Sequence, residues 1–214
     1  MKISFICSSA WHPVVNCINS YIAINNKEHD FTLHSSSKEL KGGDILFLIS
    51  CNEIIPKKII DDFKYSFVLH ASDLPVDRGW SPYVWQILEG KEAFTLVAIS
   101  AEEKIDSGKI WYRKEFSISK DLLYYEINNI ITQEEVAAID YIISNLDKIV
   151  PVDQDNKGVQ SYRRKRTPKD SEIDPKLSLE NQFNSIRVAD PERYPSFFYL
   201  HGERYKITIK KYNE

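Results

Sequence analysis

Residues 68–90 read VLHASDLPVDRGWSPYVWQILEG and crowd one histidine, two prolines, an Arg-Gly pair and two tryptophans into a single connection. An imidazole near its reference pKa accepts a proton at neutral pH, so His70 has the chemistry of a general base. A packed or hydrogen-bonded loop histidine is the plainer reading of the same residue. A carboxylate beside the ring would hold it and favour its charged form. Asp106, in EEKIDSG (102–108), is such a carboxylate, although alone it reads as a turn aspartate. The run Arg163-Arg164-Lys165-Arg166 is either a solvated charged face or a local phosphate clamp, because arginine forks match phosphate oxygens.

The elements that must position these residues alternate between strand and helix. KISFIC (2–7) is a short apolar run closed by Ser8-Ser9, and Val14, Val15, Ile18 and Ile22 then recur at helical spacing. DFTLHSSS (30–37) is a weak strand, GGDILFLIS (42–50) a continuous apolar run of the central parallel kind, PKKIIDDF (56–63) a short helix and YSFVLH (65–70) another strand. Ser81 as N-cap, Pro82 at the first helical position and the terminal Gly90 bracket a helix. FTLVAIS (94–100) and KIWYRKEFSI (109–118) read as strands, the second with one wetter face.

From Lys120 to Ile149 the pattern is helical, with a break expected at Thr132, where Thr-Gln-Glu-Glu matches a capping box that would start a second helix. Residues 153–175 are polar and turn-rich and read as a loop. A helix over 178–189 and a hairpin over 196–212, turning at His201-Gly202-Glu203, complete the chain. This order predicts an α/β fold: a Rossmann-like, mostly parallel sheet with helices on both faces, plus a small C-terminal helix and β-hairpin extension. The expected division is a core over 1–150 and an extension over 151–214 packed on it. Sites in such sheets form at the carboxyl ends of strands, where His70, Ser8, Ser9, Ser50, Cys51 and Asn52 fall.

The 214 residues, 43% hydrophobic and 28% charged, suit one folded globular core. A net charge of -3 argues against broad attraction to a polyanion such as tRNA or DNA. Cys7, Cys17 and Cys51 are odd in number and lack CxxC spacing, so neither a disulfide framework nor a metal site is expected. The N-terminus carries no signal-peptide core, and no apolar run approaches the length of a membrane span. A cytoplasmic protein without a membrane partner is expected.

The stretch LHASDLPVDRGWSP, followed about thirty residues later by EEKIDSGKI, resembles the signature of the folate-dependent formyltransferases. RRKRTPKDSEID and NSIRVADPERYPSFF are similar to the branch of that family that acts on sugars. The similar segments cover most of residues 42–120 and 160–200. The resemblance implies transfer of a formyl group from 10-formyltetrahydrofolate to an amine through a tetrahedral intermediate, with His70 and Asp106 at the family's histidine and aspartate positions. The family's asparagine, two residues before the histidine, is replaced here by Val68, which cannot donate to an oxyanion.

Asn52 is the first substitute donor to consider and Ser72 the second, with the alternatives that Asn52 is a solvated turn residue and that Ser72 fixes its own loop. The resemblance places the folate against Ser72, Leu74, Pro75, Gly79, Ala101, Glu103 and Ile105. It places the acceptor, an amino sugar carried on a nucleotide, near Arg187 and Tyr194, and Ser8 and Ser9 at a strand end and Arg163 in the basic run are the further candidates to bind it. Trp80 and Trp85 are read as loop-anchoring aromatics. Acceptors weighed against the sugar are methionyl-tRNA and glycinamide ribonucleotide, and a catalytically silent binding protein is the alternative outside enzymes. A homodimer is left open.

Overall fold

The structure is a computed structural model describing residues 1–155 and 160–212. The expected 153–175 loop and the 151–214 extension therefore run partly over residues outside the described ones. Strands β1 (Lys2–Ile6), β2 (Asp30–His34), β3 (Gly43–Leu48) and β4 (Phe63–His70) alternate with helices α1 (Pro13–Asn25) and α2 (Lys57–Asp61). Then come β5 (Arg78–Gly79), α3 (Pro82–Leu88), β6 (Ala93–Ser100), β7 (Ile110–Ser117) and α4 (Tyr124–Asn145). The chain continues through β8 (Tyr162–Arg163), α5 (Leu179–Arg187), β9 (Phe197–Leu200) and β10 (Glu203–Lys206).

The main sheet has the order β2-β1-β3-β4-β6-β7. Its first four strands are parallel, and β6 and β7 are antiparallel to their neighbours. The central strands β3 and β6 are buried on both faces, which explains their unbroken apolar runs, whereas β7 is an edge strand with exposed residues. Ile3, Phe5, Ile45, Phe47, Phe67 and Leu96 form one core with α1 and α4. On the other face Ile6, Leu46 and Phe63 pack with α2. There Leu74 covers Val97 and Ile99.

Because β-strand side chains alternate, Val68 and His70 share this second face. Parallel pairing sets Leu48 beside Val68, and antiparallel pairing sets His70 beside Val97. The register therefore places the histidine at the carboxyl end of the parallel set.

Two local expectations are corrected. Residues 124–145 form one uninterrupted helix, α4, rather than two. The Thr132 hydroxyl bonds back to the Asn129 carbonyl at 3.1 Å and is buried, so it serves as an interior helical residue and caps nothing. The helix begins instead where Glu126 accepts from the Leu123 amide at 2.8 Å. At α3, Ser81 occupies the N-cap position but has left-handed backbone (φ 45°) and makes no side-chain cap. Pro82 starts the helix and Gly90 (φ 84°) ends it. At that end Gly90 N donates to Ile87 O and Lys91 N to Gln86 O, the paired bonds of a Schellman close.

Candidate active site

His70 is almost fully buried, and its Nε2 lies 3.0 Å from the carbonyl oxygen of Asp77. A carbonyl only accepts, so Nε2 carries the proton and the bare nitrogen of the neutral ring is Nδ1. Nδ1 lies 3.8 Å from Asp106 Oδ1, an ion-pair distance longer than a hydrogen bond. Asp106 is itself fixed, because its Oδ2 accepts from the Gly79 amide at 2.8 Å. The carboxylate is thus anchored through one oxygen and faces the imidazole with the other. Such a pair accepts a proton at Nδ1 and stabilises the resulting cation.

Asp106 has positive φ (52°) in the turn joining β6 to β7. Close approach shapes that turn: a Cβ on Gly108 would collide with the Ser100 carbonyl oxygen. Gln154, buried and outside the motifs read from sequence, holds the turn from beyond α4. Its amide donates to the carbonyls of Asp106 (3.0 Å) and Gly108 (2.9 Å), and its oxygen accepts from Arg78 Nη2 (2.8 Å). Arg78 Nε also donates to the Asp106 carbonyl at 3.0 Å.

A second clamp holds Asp77. Its amide donates to Ser161 Oγ at 2.8 Å, and its carboxylate accepts from Gln86 Nε2 (3.0 Å), Ser161 Oγ (3.2 Å) and Arg163 Nε (2.5 Å). Burial alone would raise this carboxyl's pKa, but the bonds from Arg163, Gln86 and Ser161 outweigh it and hold the group below the ordinary range. Strand β8 pairs with β5, aligning Arg163 with Gly79. No sequence motif marks Gln154 or Ser161, because their roles arise only when Gln154 and residues 160–163 pack onto 77–108.

At the ends of β1 and β3, Ser8 Oγ accepts from the backbone N–H of Asn52 at 2.8 Å, and Ser50 Oγ lies 3.0 Å from His12 Nε2. His12 Nδ1 accepts from the Val14 amide. Burial, reinforced by the charge of Arg193, pushes His12 down to about 4. This ring is therefore neutral at physiological pH, with its proton on Nε2 toward Ser50. Among the described residues, no group of three or more His, Cys, Asp or Glu is arranged to hold a metal ion. Nor is any described helix long and apolar enough to cross a membrane.

The sequence pattern of the formyl transferase family matches residues 8–143, well over half the chain. The chain belongs to the formyl transferase family. It is 27% identical over 173 residues to a methionyl-tRNA formyltransferase of Rickettsia bellii, covering 80% of this chain and 56% of that protein. The chain thus spans about half the length of the curated relatives it matches. A methionyl-tRNA formyltransferase from Clostridium thermocellum superposes over all of this chain and 94% of its own (TM-score 0.81, 23% identity). HypX from Aquifex aeolicus in complex with tetrahydrofolic acid covers 95% of this chain and 36% of its own (TM-score 0.76, 16% identity). A 4-N formyltransferase from Francisella tularensis covers all of this chain and 98% of its own (TM-score 0.76, 15% identity). At these identities the likeness of the three structures is one of fold.

Within this formyl transferase chain, Ser72 does not offer a free donor. Its buried hydroxyl bonds to the carbonyls of Val76 (2.8 Å) and Asp77 (3.3 Å). Leu74 is buried and joined to Pro75 by a cis peptide. The Ala101 amide donates to Ser66 O at 2.7 Å, while Glu103 and Ile105 stay exposed. Asn52 is exposed at the end of the β3 connection, and Ser9 accepts the His12 amide through its carbonyl.

The basic run is tied into the protein. Arg163 bridges Asp77 and Glu89, Arg164 pairs with Asp170 and lies over the Trp85 ring, and Lys165 lies over Trp80. Trp80 and Trp85 accordingly anchor this segment. Arg187, expected near substrate, is buried instead, donating to the Ser119 and Leu122 carbonyls and to Asn184. A buried guanidinium held by carbonyls joins α5 to the approach of α4. Tyr194 is half exposed, with Arg193 over its ring.

Proposed function

We propose that the protein transfers the formyl group of 10-formyltetrahydrofolate to the amine of an amino sugar carried on a nucleotide. The observation that carries the transfer chemistry is the His70 ring, protonated at Nε2 by its bond to Asp77 O and bare at Nδ1 beside Asp106. The donor of the family is a formyltetrahydrofolate. The residues at hand suit it: Leu74 anchors the 71–79 loop against Val97 and Ile99, and Glu103 and Ile105 remain free to meet a ligand.

The amine nitrogen attacks the formyl carbon and forms the new C–N bond. Nδ1 of His70 takes the amine's proton, and Asp106 stabilises the imidazolium. The bond from the formyl carbon to the folate nitrogen breaks, and the proton returns to that nitrogen. The products are a formamide and tetrahydrofolate. Val68 donates nothing to the transient oxyanion, and with Ser72 occupied Asn52 is the donor assigned to it.

Three features support a sugar acceptor. The net charge is -3, and three members of the basic run are already paired with anions or aromatic rings. The resemblance at RRKRTPKDSEID and NSIRVADPERYPSFF is to the sugar branch. A solved structure from a Shewanella species described as a sugar N-formyltransferase shares this fold along 99% of its own chain, as the Clostridium methionyl-tRNA formyltransferase does along 94%. Methionyl-tRNA is the competing acceptor, favoured by the names of the sequence relatives.

The test incubates the protein and formyl donor with UDP- and dTDP-linked amino sugars and, separately, with methionyl-tRNA, reading products by mass. A formyl gain on a nucleotide sugar supports the proposal. Efficient formylation of the tRNA with none on the sugars overturns it.

A further inference from the structure

We propose that Asp77 and Arg163 act as a positioning pair that fixes the tautomer and tunes the protonation of His70. The proposal rests on the transfer role given to His70 above, but its main readout does not depend on turnover.

Asp77 has left-handed backbone (φ 58°) and is 1% exposed. Aspartate tolerates that conformation better than most residues but still at a cost, so something must hold it there. The holders are the three carboxylate bonds and the bond from the Asp77 amide to Ser161. In this conformation the Asp77 carbonyl faces His70 Nε2, and that bond selects Nδ1 as the proton acceptor. Arg163 Nη1 reaches on to Glu89, so one guanidinium locks the loop to both the end of α3 and β8.

The pair also sets a local field. Among the described residues, the charged groups linked to this site are Asp106 from the β6–β7 turn, Asp77 paired with Arg163 from β8, Lys91 at 3.8 Å from Asp77, Glu89 paired with Arg163, Arg78 bonded to the Asp106 carbonyl, and Asp73 of the same loop paired with Arg113 of β7. Asp77 and Arg163 carry opposite charges and are paired with each other. Removing either alone must move the imidazole equilibrium, and in opposite directions. Loss of the Asp77 charge disfavours the imidazolium, and loss of the Arg163 charge favours it.

The experiment follows the His70 ring by ¹⁵N NMR across pH in the full chain, for the native protein, Asp77→Asn, Arg163→Gln and the double variant. The native ring should show the Nε2–H tautomer when neutral. Its titration midpoint should fall in Asp77→Asn, rise in Arg163→Gln, and return toward native in the double variant. Glu89→Gln, at a half-exposed position, gives a smaller fall and serves if Arg163→Gln does not fold. In turnover assays kcat should drop about tenfold in each single variant with donor KM within about twofold. Midpoints that stay put, or that shift the same way in Asp77→Asn and Arg163→Gln (or in Asp77→Asn alone when Glu89→Gln stays native), overturn the positioning pair. Absence of formyl transfer in the native protein, with the NMR shifts present, overturns the functional reading and leaves the pair standing.

Discussion

The Gly79 amide donates to Asp106 Oδ2 at 2.8 Å, so a glycine on β5 fixes the carboxylate that faces His70. Gly79 has φ 93°, and a Cβ there would stand 2.5 Å from the Arg163 carbonyl oxygen and 2.7 Å from the Tyr162 ring. Both backbone conformation and space demand glycine.

Gly79→Ala should therefore cost about 1–3 kcal/mol of stability through backbone strain. Turnover should fall by far more than the loss of folded protein explains, because Asp106 loses its anchor. Denaturant midpoints measured beside turnover check this. A stable, fully active Gly79→Ala protein would show that the β5 contact does not hold the carboxylate.

In the proposed mechanism His70 and Asp106 both take part in proton transfer at the formyl carbon, so His70→Ala and Asp106→Ala should each lower turnover at least about a hundredfold. Circular dichroism should report native folds. Near-native turnover in either folded variant refutes that residue's role.

Asn52→Ala and Ser72→Ala should separate cleanly. Asn52 is exposed, so its loss should leave stability unchanged and reduce kcat about a hundredfold if its amide meets the oxyanion. The Ser72 hydroxyl is buried on two carbonyls, so its loss should cost about 1 kcal/mol of stability. Thermal unfolding and single-turnover rates distinguish the two. An inactive, fully stable Ser72→Ala protein beside an active Asn52→Ala protein reverses the assignment.

Glu135, within α4, is buried, its Oε2 has no partner among the described residues, and burial raises its pKa to about 8. The folded state therefore holds a proton that the unfolded chain gives up near pH 4.5. This group's penalty is absent below that pH, grows as pH rises toward about 8, and levels above it. Glu135→Gln should stabilise the protein at pH 7 and make little difference at pH 4, which denaturant melts at the two pH values will read. An equal effect at both would mean that the carboxyl is already ionised in the folded protein.

The sequence makes the strands legible because β3 and β6 are buried on both faces and leave unbroken apolar runs. His70 and Asp106 are legible as chemistry because their types suit proton transfer and their motifs pair. Thr132 misleads for a physical reason: its neighbours spell a helix start, but Ile127, Ile131, Ala138 and Ile139 bury one continuous helical face, and tertiary packing overrides the local signal. Arg163 and Arg187 look like free cations in a linear chain. Their partners, Asp77 for one and the carbonyls of Ser119 and Leu122 for the other, lie 65 or more residues away. Asp77 shows why the rest stays hidden, because its importance lies in a carbonyl direction that no side-chain pattern encodes.

The docking of Gln154, Ser161 and Arg163 onto the 77–108 region also sets an order of events during synthesis. A nascent chain of 150 residues already holds all six strands of the main sheet together with His70 and Asp106. It lacks Gln154, Ser161 and Arg163, whose contacts close loops of up to 86 residues. Loops of that length close late and at an entropic cost that local elements do not bear. The growing protein should thus pass through a stage that is folded yet chemically idle, and its histidine should acquire a fixed tautomer only when the segment following α4 has docked.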